Sequence, residues 1–251
     1  MSKLIVIIFI LFTTHAFGQA LTIRPINCVI KESDNKKIAR LLNYERMFYN
    51  EIFDTDINFD VPITLNIYGK IKDFKALKQQ YEILKSADGF YASNVNEAFL
   101  FKSSDYISIS LHEVSHGLMQ SNFKNPPRWL NEGMAEFFET FDFDENGDLY
   151  SSPQQRIIQN IKTGIELKEK NRLQTFFSLN ANNFYTEGIA DNYSTAYSVI
   201  YFLVKTKNSA ALTNIVKLIK QGKTSEDAIS TTFGSFKNFE DGYKRFYYYV
   251  K

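Results

Sequence analysis

His112-Glu113-Val114-Ser115-His116 sets two imidazoles four residues apart, with a carboxylate beside the first. On an α-helix, residues four apart lie on one face, one turn above each other. Two imidazoles so placed can bind one tetrahedral Zn²⁺. Glu113, one position further round the helix, can reach a water at the metal without becoming a ligand. The chain contains three histidines, and His15 lies in the N-terminal leader described below. Both remaining histidines therefore sit in this one motif.

A catalytic zinc needs a third protein ligand and an open position for water. With no further histidine, that ligand must be Asp or Glu. The segment Pro127-Arg128-Trp129-Leu130-Asn131-Glu132-Gly133-Met134-Ala135-Glu136-Phe137-Phe138 supplies candidates. Fifteen residues separate His116 from Glu132, enough to end one helix, turn through Pro126-Pro127 and begin another. Glu132 is the expected ligand. Glu136, four residues on, is expected to accept a hydrogen bond from a ligand histidine and so fix its tautomer; its alternative role is as the ligand. Gly133 is expected to let the backbone approach the metal-binding helix closely.

The elements that must position these groups divide at about residue 105. Leu21 to Arg24, Asn27 to Lys31 and Val61 to Tyr68 have strand patterns. Ser33 and Asp34 can cap a helix running to about Phe53, and Lys72 to Leu84 is a second helix. Gly89 to Ser93 and Ala98 to Lys102 form a hairpin around Asn94-Val95-Asn96. Beyond this, helices are expected over 106–120, 128–140, 153–166, 191–206, 208–221, 225–232 and 236–250. Breaks fall at Asn122 to Pro127, Asp142 to Ser152 and Asn180 to Asn183. The expected fold class is α+β: a small N-terminal α/β lobe, 19–104, followed by a mainly α-helical catalytic lobe, 105–251, the two making one catalytic unit. The histidine helix falls at their junction, where clefts commonly form.

Lys3 followed by the nine apolar residues Leu4 to Phe12 and then Ala16-Phe17-Gly18 has the pattern of a secretory signal peptide, residues 1–18, with cleavage after Gly18 and Ala20 as the second choice. Nine apolar residues are too few for a bilayer span, which takes about 20. The mature chain is expected in a periplasm or outside the cell, with no stable membrane anchor. The whole chain has 29 Lys and Arg against 28 Asp and Glu, and loss of Lys3 balances them, so nothing points to nucleic acid as a partner. Cys28, the one cysteine, reads as a buried strand residue rather than a reactive thiol. Asp142 to Asp148 resembles the start of a calcium loop, but its twelfth position would be Pro153 instead of a bidentate glutamate. Asn146-Gly147 is read as a turn.

HEVSH followed by Trp129-Leu130-Asn131-Glu132-Gly133-Met134-Ala135-Glu136 resembles the paired motifs of gluzincin zinc metallopeptidases, and of peptidase-MA-like domains in particular. The likeness is specific over about 105–140 and weaker through Tyr193 to Leu203. It implies a zincin-like fold, one zinc per chain and a peptide or protein substrate. The chain lacks the Gly-x-Met-Glu-Asn segment of the aminopeptidase branch, and the gap between motifs is shorter than in that branch. Both departures favour an endopeptidase. Gluzincins also carry a tyrosine or histidine that stabilises the oxyanion. The resemblance assigns this role to Tyr193, with Tyr197 the second choice and Tyr201 a packing residue. The competing expectation is a catalytically silent zinc-binding module that binds protein or peptide.

Overall fold

The computed structural model describes residues 21–81, 83, 87–166, 172–186, 188–206 and 209–250. The expected signal peptide and Leu84 lie outside these residues. The fold is α+β. Strands β1 (Leu21–Ile26), β2 (Ile63–Tyr68), β3 (Gly89–Ala92) and β4 (Glu97–Phe101) form one sheet in the order β1-β2-β4-β3. β1, β2 and β4 are parallel, with Leu21 opposite Ile63 and Leu65 opposite Ala98. β3 runs antiparallel to β4 at the sheet edge.

Alternation along these strands decides what covers each face. Ile63, Leu65, Ile67, Ala98 and Leu100 point into the main core, which continues without a break into the helical lobe. Phe90, Ala92 and Phe99 point to the other face and form a smaller cluster with Phe74 of α2 (Ile71–Gln80). On the main-core face α3 (Tyr106–Asn122) packs against β2, β3 and β4, and α1 (Glu32–Phe53) packs on α3. α3 carries the histidine motif. It lies between the sheet, α1 and α4 (Arg128–Phe138), which explains why apolar residues interleave with its histidines.

The remaining helices are α5 (Gln155–Glu166), α6 (Arg172–Phe177), α7 (Ala181–Thr186), α8 (Ile189–Lys205), α9 (Ser209–Lys220), α10 (Ser225–Phe233) and α11 (Phe236–Tyr249). α8 packs most extensively against α4. The contact is close because Gly133 has no side chain: a Cβ there would lie 2.6 Å from the Ala196 carbonyl oxygen. The close approach expected toward the histidine helix α3 is instead to α8, at Ala196 and Ile200. Glu132 turns toward α3, so its neighbour Gly133 faces away from it.

Several further expectations are corrected. Asn27 to Lys31 is a loop: Asn27 has φ 55°, a left-handed conformation that ends β1. Cys28 accordingly sits half-buried outside any strand, donating to the Ile67 carbonyl at 3.3 Å. α1 begins at Glu32 with no side-chain cap. Asp34 instead accepts from the Tyr106 hydroxyl at 2.6 Å, tying the start of α1 to the start of α3. Asn180 to Asn183 is no simple break, since Asn180 Oδ1 accepts from Asn183 N–H at 2.9 Å and caps α7. Asp142 to Ser152 contains a short hairpin, β5 (Phe141–Phe143) and β6 (Leu149–Ser151). Gly147, with φ 80°, sits in its turn, as the Asn-Gly pair predicts. Among the described residues no helix is long and apolar enough to cross a membrane.

Candidate metal centre

α3 presents His112 and His116 on one face, with ring centroids 4.9 Å apart. The loop after Asn122 reverses the chain, and Pro127 opens α4 by accepting from Leu130 and Asn131 N–H groups. α4 then brings Glu132 over the two rings. Glu132 Oε2 lies 3.8 Å from His112 Nε2 and 3.7 Å from His116 Nε2. For ligands about 2.0–2.1 Å from a tetrahedral Zn²⁺, neighbouring donor atoms stand about 3.3 Å apart, so a small inward movement closes this set on one ion. Glu132 Oε2 is buried and has no hydrogen-bond partner. Burying an unpaired carboxylate oxygen is expensive, and a cation between the three groups removes that cost. The residues therefore fit a zinc ion.

Other groups flank His112 and Glu132. His112 Nδ1 is 2.6 Å from Glu139 Oε1 and 3.9 Å from Glu136 Oε1. The ring N–H is not well aimed at an oxygen, so the contact with Glu139 is a close ion pair more than a directed hydrogen bond. Glu139, beyond the end of α4, thus lies nearer His112 Nδ1 than Glu136, the expected partner. Glu136 also lies beside Gln154, whose Nε2 is 3.5 Å from Glu136 Oε2. Glu139 stands seven residues after Glu132, two helical turns, and that spacing was the available signal. On the other side, the Tyr185 hydroxyl donates to Glu132 Oε1 at 2.5 Å. That leaves Oε2 as the atom free to face the histidines. Sequence reasoning had no signal for Tyr185, which comes from α7.

Tyr193 of α8 lies against Phe184 and Tyr185, and its hydroxyl interacts with the Glu132 carboxylate. Tyr197 is fully buried, and its hydroxyl accepts from Gln154 N–H at 3.2 Å. Tyr201 stacks on Tyr197. Of the three tyrosines on α8, Tyr193 is thus the one brought to Glu132.

Electrostatics follow from many carboxylates in little water. Burial opposes charge on His112, but Glu139, Glu113 and Glu132 outweigh it and raise its pKa to about 10. Burial pushes Glu113 up to about 8, with Glu132 and Glu139 adding to the rise and His112 opposing it. Burial lowers His116, against the pull of Glu132. Glu136 is raised to about 7 by burial and the adjacent Glu139. Behind α3, Glu45 of α1 is fully buried, neither of its oxygens has a hydrogen-bond partner, and burial raises its pKa well above the usual range.

A family described as "Protein of unknown function (DUF1570)" matches residues 107–224. None of the curated proteins matches the chain. The matched stretch runs from α3 to the N-cap of α10 and contains His112, Glu113, His116, Glu132, Glu136, Glu139, Tyr185 and Tyr193.

Proposed function

We propose that this chain is an exported, zinc-dependent peptidase of gluzincin type, binding one zinc ion through His112, His116 and Glu132. The observation that carries the reading is the buried, unpartnered Glu132 Oε2 facing both Nε2 atoms at 3.7 and 3.8 Å, with an intact glutamate between the histidines. When bound, zinc supplies Lewis acidity, acidifying a water and polarising a carbonyl. Glu113 acts as general base. Its pKa of about 8 in the metal-free site lies near neutrality, so it can take a proton from the attacking water and pass it to the leaving amine. Burial and the Glu132 charge hold the Tyr193 phenol protonated, ready to donate to the scissile carbonyl oxygen as charge develops there.

A peptide substrate is supported by the edge strand. Phe101 N–H donates to the Asp88 carbonyl, so in antiparallel alternation Gly89 and Tyr91 turn their own N–H and C=O away from β4. An extended chain can pair with those groups beside α3, which packs on β3. The reading includes a zincin-like layout with α3 at the junction of sheet and helices. Export rests on the leader expected over residues 1–18, and endopeptidase activity on the absent Gly-x-Met-Glu-Asn segment.

The test is elemental mass spectrometry of the purified chain, followed by digestion of a broad peptide library. About one zinc per chain, lost in His116→Ala and Glu132→Ala, is expected. Cleavage should stop with chelator and in Glu113→Gln, while that variant keeps its zinc. Zinc without cleavage would favour the silent binding module. No zinc, even after adding it back, would end the metallopeptidase reading.

A further inference from the structure

Gly89 opens β3 and faces α3 across a gap too small for any side chain. Its φ lies outside the left-handed region, so the backbone conformation does not demand glycine. Space does. A Cβ at this position would stand 2.7 Å from Glu113 Oε1, 2.7 Å from Ile109 Cγ2 and 3.0 Å from Glu113 Cγ. Ordinary contact begins at 3.4 Å, a shortfall of 0.7 Å at the carboxylate.

The strand is the less yielding partner. Gly89 pairs with Leu100, which is fully buried, and Asp88 accepts from Phe101 N–H at 2.9 Å. Phe90 is locked on the opposite face against Phe74 and Phe99. The obstacles on α3 are instead side-chain atoms, which can turn. An added methyl would therefore be accommodated by displacing the Glu113 carboxylate and the Ile109 methyl, with the sheet intact.

We propose that Gly89 is a positioning residue for Glu113: its missing side chain is the space that lets the carboxylate stay beside His112. The catalytic consequence rests on the reading of Glu113 as general base; the steric contact does not. None of the three ligands His112, His116 and Glu132 is among the atoms a Gly89 Cβ would meet first, so metal binding and proton transfer separate. A misplacement of about 1 Å costs on the order of 10²-fold in rate.

The experiment compares zinc-loaded wild type, Gly89→Ala and Glu113→Gln. Gly89→Ala should carry wild-type zinc, with kcat lower by about 10–10²-fold and KM little changed. In protein labelled with carbon-13 at glutamate carboxyls, the Glu113 resonance, assigned by its absence in Glu113→Gln, should move in Gly89→Ala. An unmoved resonance with wild-type kcat overturns the proposal, as does loss of zinc in a folded Gly89→Ala. If the wild type cleaves nothing while the resonance moves, the steric role of Gly89 stands and the peptidase reading falls. Should Gly89→Ala fold poorly, the double variant G89A/E113A decides: recovered stability supports the contact, and an unrelieved defect overturns it.

Discussion

Zinc uptake should expel a proton from His112, and the affinity should carry that signature. In the metal-free site the His112 pKa is about 10, so near neutral pH the ring is a cation. Nδ1 lies 2.6 Å from Glu139 Oε1, and Nε2 lies 3.8 Å from Glu132 Oε2. A metal ligand must offer a free lone pair, so Nε2 must lose its proton while Nδ1 keeps its own. Affinity therefore falls as pH drops through about 10. Between pH 6.5 and 9 the apparent association constant should rise about tenfold per pH unit for this proton, or about 1.4 kcal/mol. His116, whose pKa is lowered by burial, contributes none. Glu113, at about 8, adds a partial release below that pH. Isothermal titration calorimetry in buffers of different ionisation enthalpy counts the protons directly. Glu139→Gln removes the leading cause of the rise on His112 and should flatten the dependence near pH 8. No proton release in wild type at pH 8, or an unchanged count in Glu139→Gln, would refute the account of His112.

The hydroxyls around Glu132 should separate by role. Tyr185→Phe removes the 2.5 Å donor to Oε1 and should weaken zinc binding by about 10–100-fold, measured by chelator competition. Tyr193→Phe should keep the metal and lower kcat by about 10²–10³-fold; an unchanged rate would move the role to another donor. Gly133→Ala drives a methyl to 2.6 Å from a backbone carbonyl and should destabilise the fold by about 1–3 kcal/mol in urea unfolding. Burial raises the Glu45 pKa on folding, so between the unfolded and folded values the folded chain keeps a proton that the unfolded chain releases. Stability relative to Glu45→Gln should therefore fall with rising pH, by about 1.4 kcal/mol per unit wherever pH lies between its unfolded and folded pKa values. A flat difference between the two unfolding curves would show that Glu45 is ionised where it stands.

The parts of the site written in local sequence were legible without coordinates. Helix periodicity alone puts His112 and His116 on one face and sets Glu113 beside them, because i and i+4 superpose on any α-helix. The scarcity of histidine directed the third position to a carboxylate, and Pro126-Pro127 announced the turn that brings Glu132 back. The hairpin at Asn94 to Asn96 and the turn at Asn146-Gly147 were equally local. Asn27 to Lys31 misled because its alternation of apolar residues matches a strand, whereas Asn27 takes a left-handed conformation that periodicity does not register.

What only the tertiary structure decided depends on how separate elements are rotated and spaced. Glu136 and Glu139 follow Glu132 at one and two turns. The tilt of α4 against α3 selects Glu139 as the nearer partner of His112, by 2.6 Å against 3.9 Å. Tyr185 reaches Glu132 from α7 across 53 positions of sequence. Gly133 meets Ala196 instead of α3, and Gly89 meets Glu113 across the sheet edge. No periodicity encodes such pairings. They arise because a close-packed interior lets each helix settle at the one rotation that fills space, and that rotation is a property of all its neighbours together.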